Sequence, residues 1–270
     1  MSYVEVGDGT KIYYEDFGAG RPLMFVHGGG ATHALWQQQV FHLAPELRTI
    51  AVDLRGVGMS DKPRDGYGLD RFADDLADIA QALELGELTV VGHGVGNHII
   101  LRAAHRHPGF ARQLVLCAAA PWYAGDRDDT DGSEGGFSAE FARELSAGVG
   151  NDYAQMQWEL IQHWLFAEPP TQAAAFANLQ MALAWPPYVW KMLERDLVAL
   201  DHRPYLSDIT RPVLIMHGVH DRKNRYTGAA VLADHLPDAT VVSFEQSAHC
   251  PMVEEVEVFN ATLREFATRT

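Results

Sequence analysis

The 270-residue chain holds only two cysteines, Cys117 and Cys250, which form no CxxC pair and no disulfide framework. So sparse a set suits a reducing compartment. Positive charge is also scarce: 21 Lys and Arg face 36 Asp and Glu, for a formal net charge of −15. Without Lys/Arg clusters nothing displaces counterions from a phosphate backbone or grips an anionic bilayer, which argues against nucleic acid and membrane as partners. No apolar run approaches membrane-spanning length. The strand pattern Tyr3-Val4-Glu5-Val6 starts at once, leaving no room for a basic, apolar leader. A cytoplasmic protein, monomer or homodimer, is expected. At 47% hydrophobic residues, the chain can bury a large core as one α/β unit with an insertion.

Short apolar runs alternate with helical patterns. Residues 3–6 and 11–16 read as two strands joined by the turn Gly7-Asp8-Gly9. Leu23-Met24-Phe25-Val26, Thr49-Ile50-Ala51-Val52, Leu88-Thr89-Val90-Val91, Leu114-Val115-Leu116, Val213-Leu214-Ile215-Met216 and Thr240-Val241-Val242-Ser243-Phe244 supply six more. Their near-continuous apolarity is that of strands covered on both faces. Residues 69–85 repeat apolar side chains at helical spacing (Phe72, Leu76, Ile79, Ala80, Leu83), and an amphipathic helix over 253–268 closes the chain. The alternation predicts an α/β fold, a mostly parallel sheet with helices on both faces. Residues 121–204 break the rhythm. They contain an acidic loop at 126–136, then helical segments carrying Trp158, Trp164, Trp185 and Trp190, with no strand signal. They read as a helical cap inserted between core segments 1–120 and 205–270.

Strand ends in such a sheet collect catalytic groups. Asp221 follows the strand at 213–216, and His249 follows the strand at 240–244 within Ser247-Ala248-His249-Cys250-Pro251. Taken singly, each is an ordinary turn aspartate or loop histidine. The strand at 88–91, however, runs through Gly92-His93-Gly94-Val95-Gly96 into a helix, the context of a G-x-S-x-G nucleophile elbow. The residue order is then nucleophile position, acid, histidine. The nucleophile itself is missing, because Gly94 offers no hydroxyl, thiol or carboxylate.

Two other readings of these motifs fail. A dinucleotide fingerprint starting at Gly92 would need its third glycine at Asn97, and no acid ends the next strand, so no cofactor is expected. His217 and His220 beside Asp221, and Asp129-Thr130-Asp131-Gly132, invite a metal. Arg127 stands where a calcium loop needs its first acid and Ser138 where it needs its closing glutamate, so a solvated loop and no metal are expected.

His27-Gly28-Gly29-Gly30, the run Asp53-Leu54-Arg55-Gly56-Val57-Gly58-Met59-Ser60-Asp61, Gly92–Gly96, Asp221 and Ala248-His249 together make the chain resemble the α/β-hydrolase superfamily along nearly its whole length. The resemblance implies Gly94, Asp221 and His249 at the catalytic positions and the backbone N–H groups of Gly29 and Val95 as an oxyanion hole. It also implies a cap roofing the pocket, with Gly30, Trp122, Trp158, Trp185 and Cys250 as candidate substrate contacts and a bulky apolar ester or lactone as substrate. Gly30 stands where acid-nucleophile relatives usually carry proline, which favours a serine ancestor. Three accounts of Gly94 stay open: a serine replaced deliberately, a natural form using His249 and Asp221 as a base (as hydrolase or cofactor-free lyase), or a ligand-binding pseudoenzyme.

Overall fold

A computed structural model describes residues 2–123 and 136–269. The acidic loop expected at 126–136 therefore lies outside the described residues except for Gly136. Eight strands form one sheet: β1 (Ser2–Glu5), β2 (Lys11–Phe17), β3 (Pro22–Val26), β4 (Arg48–Val52), β5 (Thr89–His93), β6 (Gln113–Cys117), β7 (Val213–Gly218) and β8 (Ala239–Phe244). Their order is β1-β2-β4-β3-β5-β6-β7-β8. β1 and β2 pair antiparallel, as do β2 and β4, and every pairing from β4 to β8 is parallel.

The strand sequences explain the two-sided core. Side chains alternate across a strand, so Met24 and Val26, Ile50 and Val52, Leu114 and Leu116, and Val213 and Ile215 enter one apolar cluster. Leu23 and Phe25, Ala51, Val115 and Cys117, and Leu214 and Met216 enter the other. Helices α1 (Gln37–Leu43), α2 (Leu69–Ala82) and α3 (Val95–Arg106) lie between the early strands. α2 ends three residues short of the expected 85, where Glu84 takes a positive φ of 52°. Leu69, Phe72, Leu76 and Ile79 of α2 pack with Ile99 and Ile100 of α3 on the first face.

α4 (Ala139–Asn151), α5 (Tyr153–His163), α6 (Gln172–Leu183), α7 (Pro187–Leu197) and α8 (Arg203–Leu206) all fall between β6 and β7. The ends of this helical insertion are tied together. Trp122 and Asp201 make an isolated antiparallel bridge, and the His202 N–H donates to the Pro121 carbonyl at 3.0 Å. α9 (Thr227–His235) precedes β8. The closing helix is two, α10 (Pro251–Glu254) and α11 (Val256–Thr268), rather than one, broken at Glu255. Phe259, Leu263 and Phe266 of α11 cover the second face with Trp36, Val40 and Leu43.

The order β4-β3-β5 places a topological switch point beside β3. The chain leaves β3 for β4 on one side and later returns to β5 on the other. Crevices open at the carboxyl ends of strands at such points. The two loops there are the ones that begin at His27 and at Gly94.

Candidate active site

β5 ends in a turn built for close approach. A methyl group added at Gly92 would stand 2.9 Å from the Asn97 nitrogen, and one at Gly96 would stand 2.6 Å from the Val26 carbonyl oxygen. Both flanking glycines are thus required by backbone packing. Position 94 is different. Its φ of +51° and ψ of −116° form a strained corner. A first side-chain atom there would nonetheless meet only His249 Nε2 at 3.4 Å, Gly28 Cα at 3.8 Å and His249 Cε1 at 4.0 Å. The corner is clamped from behind: the Gly94 N–H donates to the Cys117 carbonyl at 3.3 Å, and the Asn97 side chain donates to the same oxygen at 2.7 Å.

His249 arrives from the loop after β8, Asp221 from the turn after β7. His249 Nδ1 lies 2.8 Å from Asp221 Oδ2, while Asp221 Oδ1 accepts from the backbone N–H groups of Lys223 at 2.8 Å and Asn224 at 2.9 Å. Both side chains are buried. Burial works to raise the Asp221 pKa, but the imidazoles of His249 and His217 and their hydrogen bonds hold it well below the usual carboxylate range. Burial also pushes the His249 pKa down, against the pull of Asp221. The imidazole is therefore neutral near pH 7 and able to take a proton. Its Nε2 is buried without a hydrogen-bond partner and faces the space above Gly94. A carboxylate-held histidine with a free nitrogen is a general base in waiting.

Gly29 lies close to Val95: a methyl added at Gly29 would stand 3.3 Å from Val95 Cγ2 and 2.2 Å from Trp190 Cζ3. Val95 opens α3, where the first N–H groups have no partner within the helix. Gly29, Gly94, Val95 and His249 share one cavity with His98, Tyr123, Phe137, Leu145, Met156, Gln157, Leu160, Trp190, Lys223 and Asn224. Its volume is about 20 Å³, room for roughly one water-sized centre. A bulky substrate enters only if the insertion shifts.

The expected substrate contacts lie outside the lining of this cavity. Trp185 is fully buried with its indole N–H given to the Ala31 carbonyl at 2.7 Å, and it packs behind Trp190. Trp158 packs against Phe176 within the insertion, and Trp122 lies beneath the Arg203 guanidinium, 4.3 Å from its carbon. Cys250 is buried in the second core. Gly30 takes a φ of +74°, and a methyl added there would stand 2.9 Å from Gln157 Oε1. None of these five lines the cavity. Trp190, Tyr123 and Gln157 stand in their place. His93 was also overlooked: its Nε2 meets the His249 carbonyl oxygen at 3.0 Å and its ring lies 4.7 Å from the His249 ring. His98, four residues after Gly94 and so on the same helical face, carried a usable signal.

Over residues 21–256 the chain matches the family described as alpha/beta hydrolase fold. A non-heme chloroperoxidase of Streptomyces lividans is 31% identical over 290 residues, covering 98% of this chain and 99% of its own. Among solved structures, an esterase from Exiguobacterium antarcticum superposes with a TM-score of 0.92 at 28% identity, covering 99% of each chain. An N-acyl homoserine lactone degrading enzyme superposes at 0.82 with 26% identity, covering 98% of this chain and 100% of its own.

Proposed function

The chain belongs to the alpha/beta hydrolase fold family, and from that premise we propose that it carries the acyl-transfer machinery of a carboxylic-ester or lactone hydrolase with glycine at the nucleophile position. The observation that carries this reading is the open 3.4 Å approach from position 94 to His249 Nε2 in a corner that keeps a nucleophile's backbone shape. The esterase and lactone-degrading relatives support the same bond class.

With serine at position 94, Oγ would attack the acyl carbonyl as His249 Nε2 took its proton and Asp221 held the resulting imidazolium. The N–H groups of Gly29 and Val95 would receive the oxyanion, and His249 would return the proton to the leaving alcohol. Those backbone donors do not depend on the side chain at 94. In the chain as it stands no acyl-enzyme forms at that position. His249 instead serves as a base toward one water in the space above Gly94, deprotonating it as it adds to the carbonyl. The cavity's size suits one such water. The direct route lacks the covalent intermediate and is slow.

The test compares the chain with its Gly94→Ser variant on short-chain aryl esters and a fluorophosphonate probe. Labelling confined to the serine form, and turnover there far above the slow direct route of the parent, are expected, with both lost again in Gly94→Ser/His249→Ala. A serine form that is folded, inert and unlabelled would overturn the reading.

A further inference from the structure

We propose that this cavity selects acyl compounds bearing a carboxylate, and that Lys223 is the residue that selects them; the acyl part of the proposal rests on the ester or lactone reading above. The turn after β7 has the sequence Asp221-Arg222-Lys223-Asn224 and folds around the Asp221 carboxylate, which accepts two of its N–H groups. That wrapping sends the two cations in different directions. Arg222 runs outward and donates to the His163 carbonyl at 3.0 Å on the insertion. Lys223 runs inward and is part of the cavity wall with Gly94 and His249.

Lys223 Nζ makes no hydrogen bond or ion pair with the described residues; it sits over the Phe137 ring, 5.9 Å from its centroid. Burial depresses the amine's pKa while the charge of Asp221 works to raise it. Lys223 is half-buried, and an ammonium set in a largely apolar wall gains from a ligand that supplies an anion. The rest of the wall points the same way. Tyr123 Oη and Trp190 Nε1 are buried with no hydrogen-bond partner, and both residues line the cavity. Asn224 has already committed its amide to the Ala118 carbonyl at 2.8 Å. No Asp or Glu lies on the described cavity wall. The described wall thus offers one lysine amine and no carboxylate, set among Phe137, Leu145, Met156 and Leu160.

Complementarity asks for one negative charge, several acceptor oxygens and an otherwise apolar chain. A monocarboxylate on a short aliphatic ester has these properties; a dianionic phosphate does not match one lysine among apolar walls. The uncharged apolar substrate expected from the tryptophans thereby gains a charged end.

The experiment pairs monomethyl adipate with methyl hexanoate, which share length and ester and differ by the carboxylate. Binding of each to the chain as it stands is measured by isothermal titration calorimetry, alongside Lys223→Met and Lys223→Arg, with thermal melts checking that each variant folds. The chain should prefer monomethyl adipate at least tenfold, Lys223→Met should lose that preference, and Lys223→Arg should keep part of it. Equal binding of both esters, no binding of either, or a preference surviving in Lys223→Met would each overturn the proposal. These readouts do not need turnover, so an inert Gly94→Ser variant would sink the hydrolase reading and leave this one standing, and the reverse holds for a Lys223 variant with unchanged preference.

Discussion

His98 on α3 and His202 at the end of the insertion share a buried hydrogen bond, Nδ1 to Nε2, of 2.9 Å. Their rings stack at 5.2 Å, and His202 Nδ1 passes the chain on to the Tyr205 hydroxyl. Only one proton can lie between two imidazole nitrogens, so at most one ring is charged while the bond is made, and burial works against even that charge. Burial pushes the His98 pKa down from 6.5 to about 4 and His202 well below its ordinary value. Their contribution to stability is complete above about pH 6.5, where folded and unfolded rings are both neutral. It is lost as pH falls toward about 4, because the unfolded chain binds protons that the folded one refuses. Calorimetric melting temperature should therefore drop steeply over that window, and His98→Gln should flatten the slope. Buried His27, His93 and His249 shift in the same direction, so the slope should shrink rather than vanish. An unchanged slope in His98→Gln would remove this pair from the acid sensitivity.

The three elbow glycines should separate by substitution. Gly94→Ala meets no backbone atom closer than 3.8 Å and bears mainly the strain of a positive φ, about 1–3 kcal/mol. Gly92→Ala and Gly96→Ala push a methyl into backbone at 2.9 Å and 2.6 Å, which cannot relax as a side chain can. Urea denaturation should rank Gly94→Ala as the mildest of the three. If it were the most damaging, position 94 would be glycine for structural reasons and a serine there would be untenable.

Arg55 and Asp75 link the loop after β4 to α2. The guanidinium has no exposed surface, and its two nitrogens reach the Asp75 carboxylate at 2.5 and 2.7 Å. Removing one partner of a buried pair strands the other, so Asp75→Ala should cost about 3–5 kcal/mol. The exposed partner Asp8, 3.0 Å away at the rim, should matter far less. Parallel denaturant melts of Asp75→Ala and Asp8→Ala check the ratio; equal losses would contradict the burial argument.

The sheet was legible because each central strand is an apolar run, and only burial on both faces tolerates such a run. The placement of β4 between β2 and β3 was not, since pairing order depends on which edges meet after collapse. Gly94, Asp221 and His249 could be read because strand ends are marked in the sequence. The cavity wall could not. Tyr123 lines it where Trp122 was expected, and Gln157 where Trp158 was. In each case the neighbouring residue faces inward, because successive helical or loop positions point in different directions and the rotation is set by packing. Lys223 was visible as one of two cations after Asp221, but only the turn's wrapping around that carboxylate decides which one enters.

Leu145, Met156 and Leu160 line both the inner cavity and a cleft of about 320 Å³ in the insertion, so they form the partition between them. The cleft opens among Glu144, Asp152 and Glu159, and its inner wall is these three apolar side chains. A substrate coming by this route must displace them, and Met156 is the most pliable, an unbranched thioether with three rotatable bonds. Met156 is only half-buried, so Met156→Ala should destabilise by about 1–2 kcal/mol, below the range for fully buried methionines. It should raise the association rate of an ester ligand several-fold in stopped-flow measurements. Leu145→Trp, which fills the partition, should slow it. If both variants bind at the parent rate, entry does not pass between these helices, and the shared wall is packing alone.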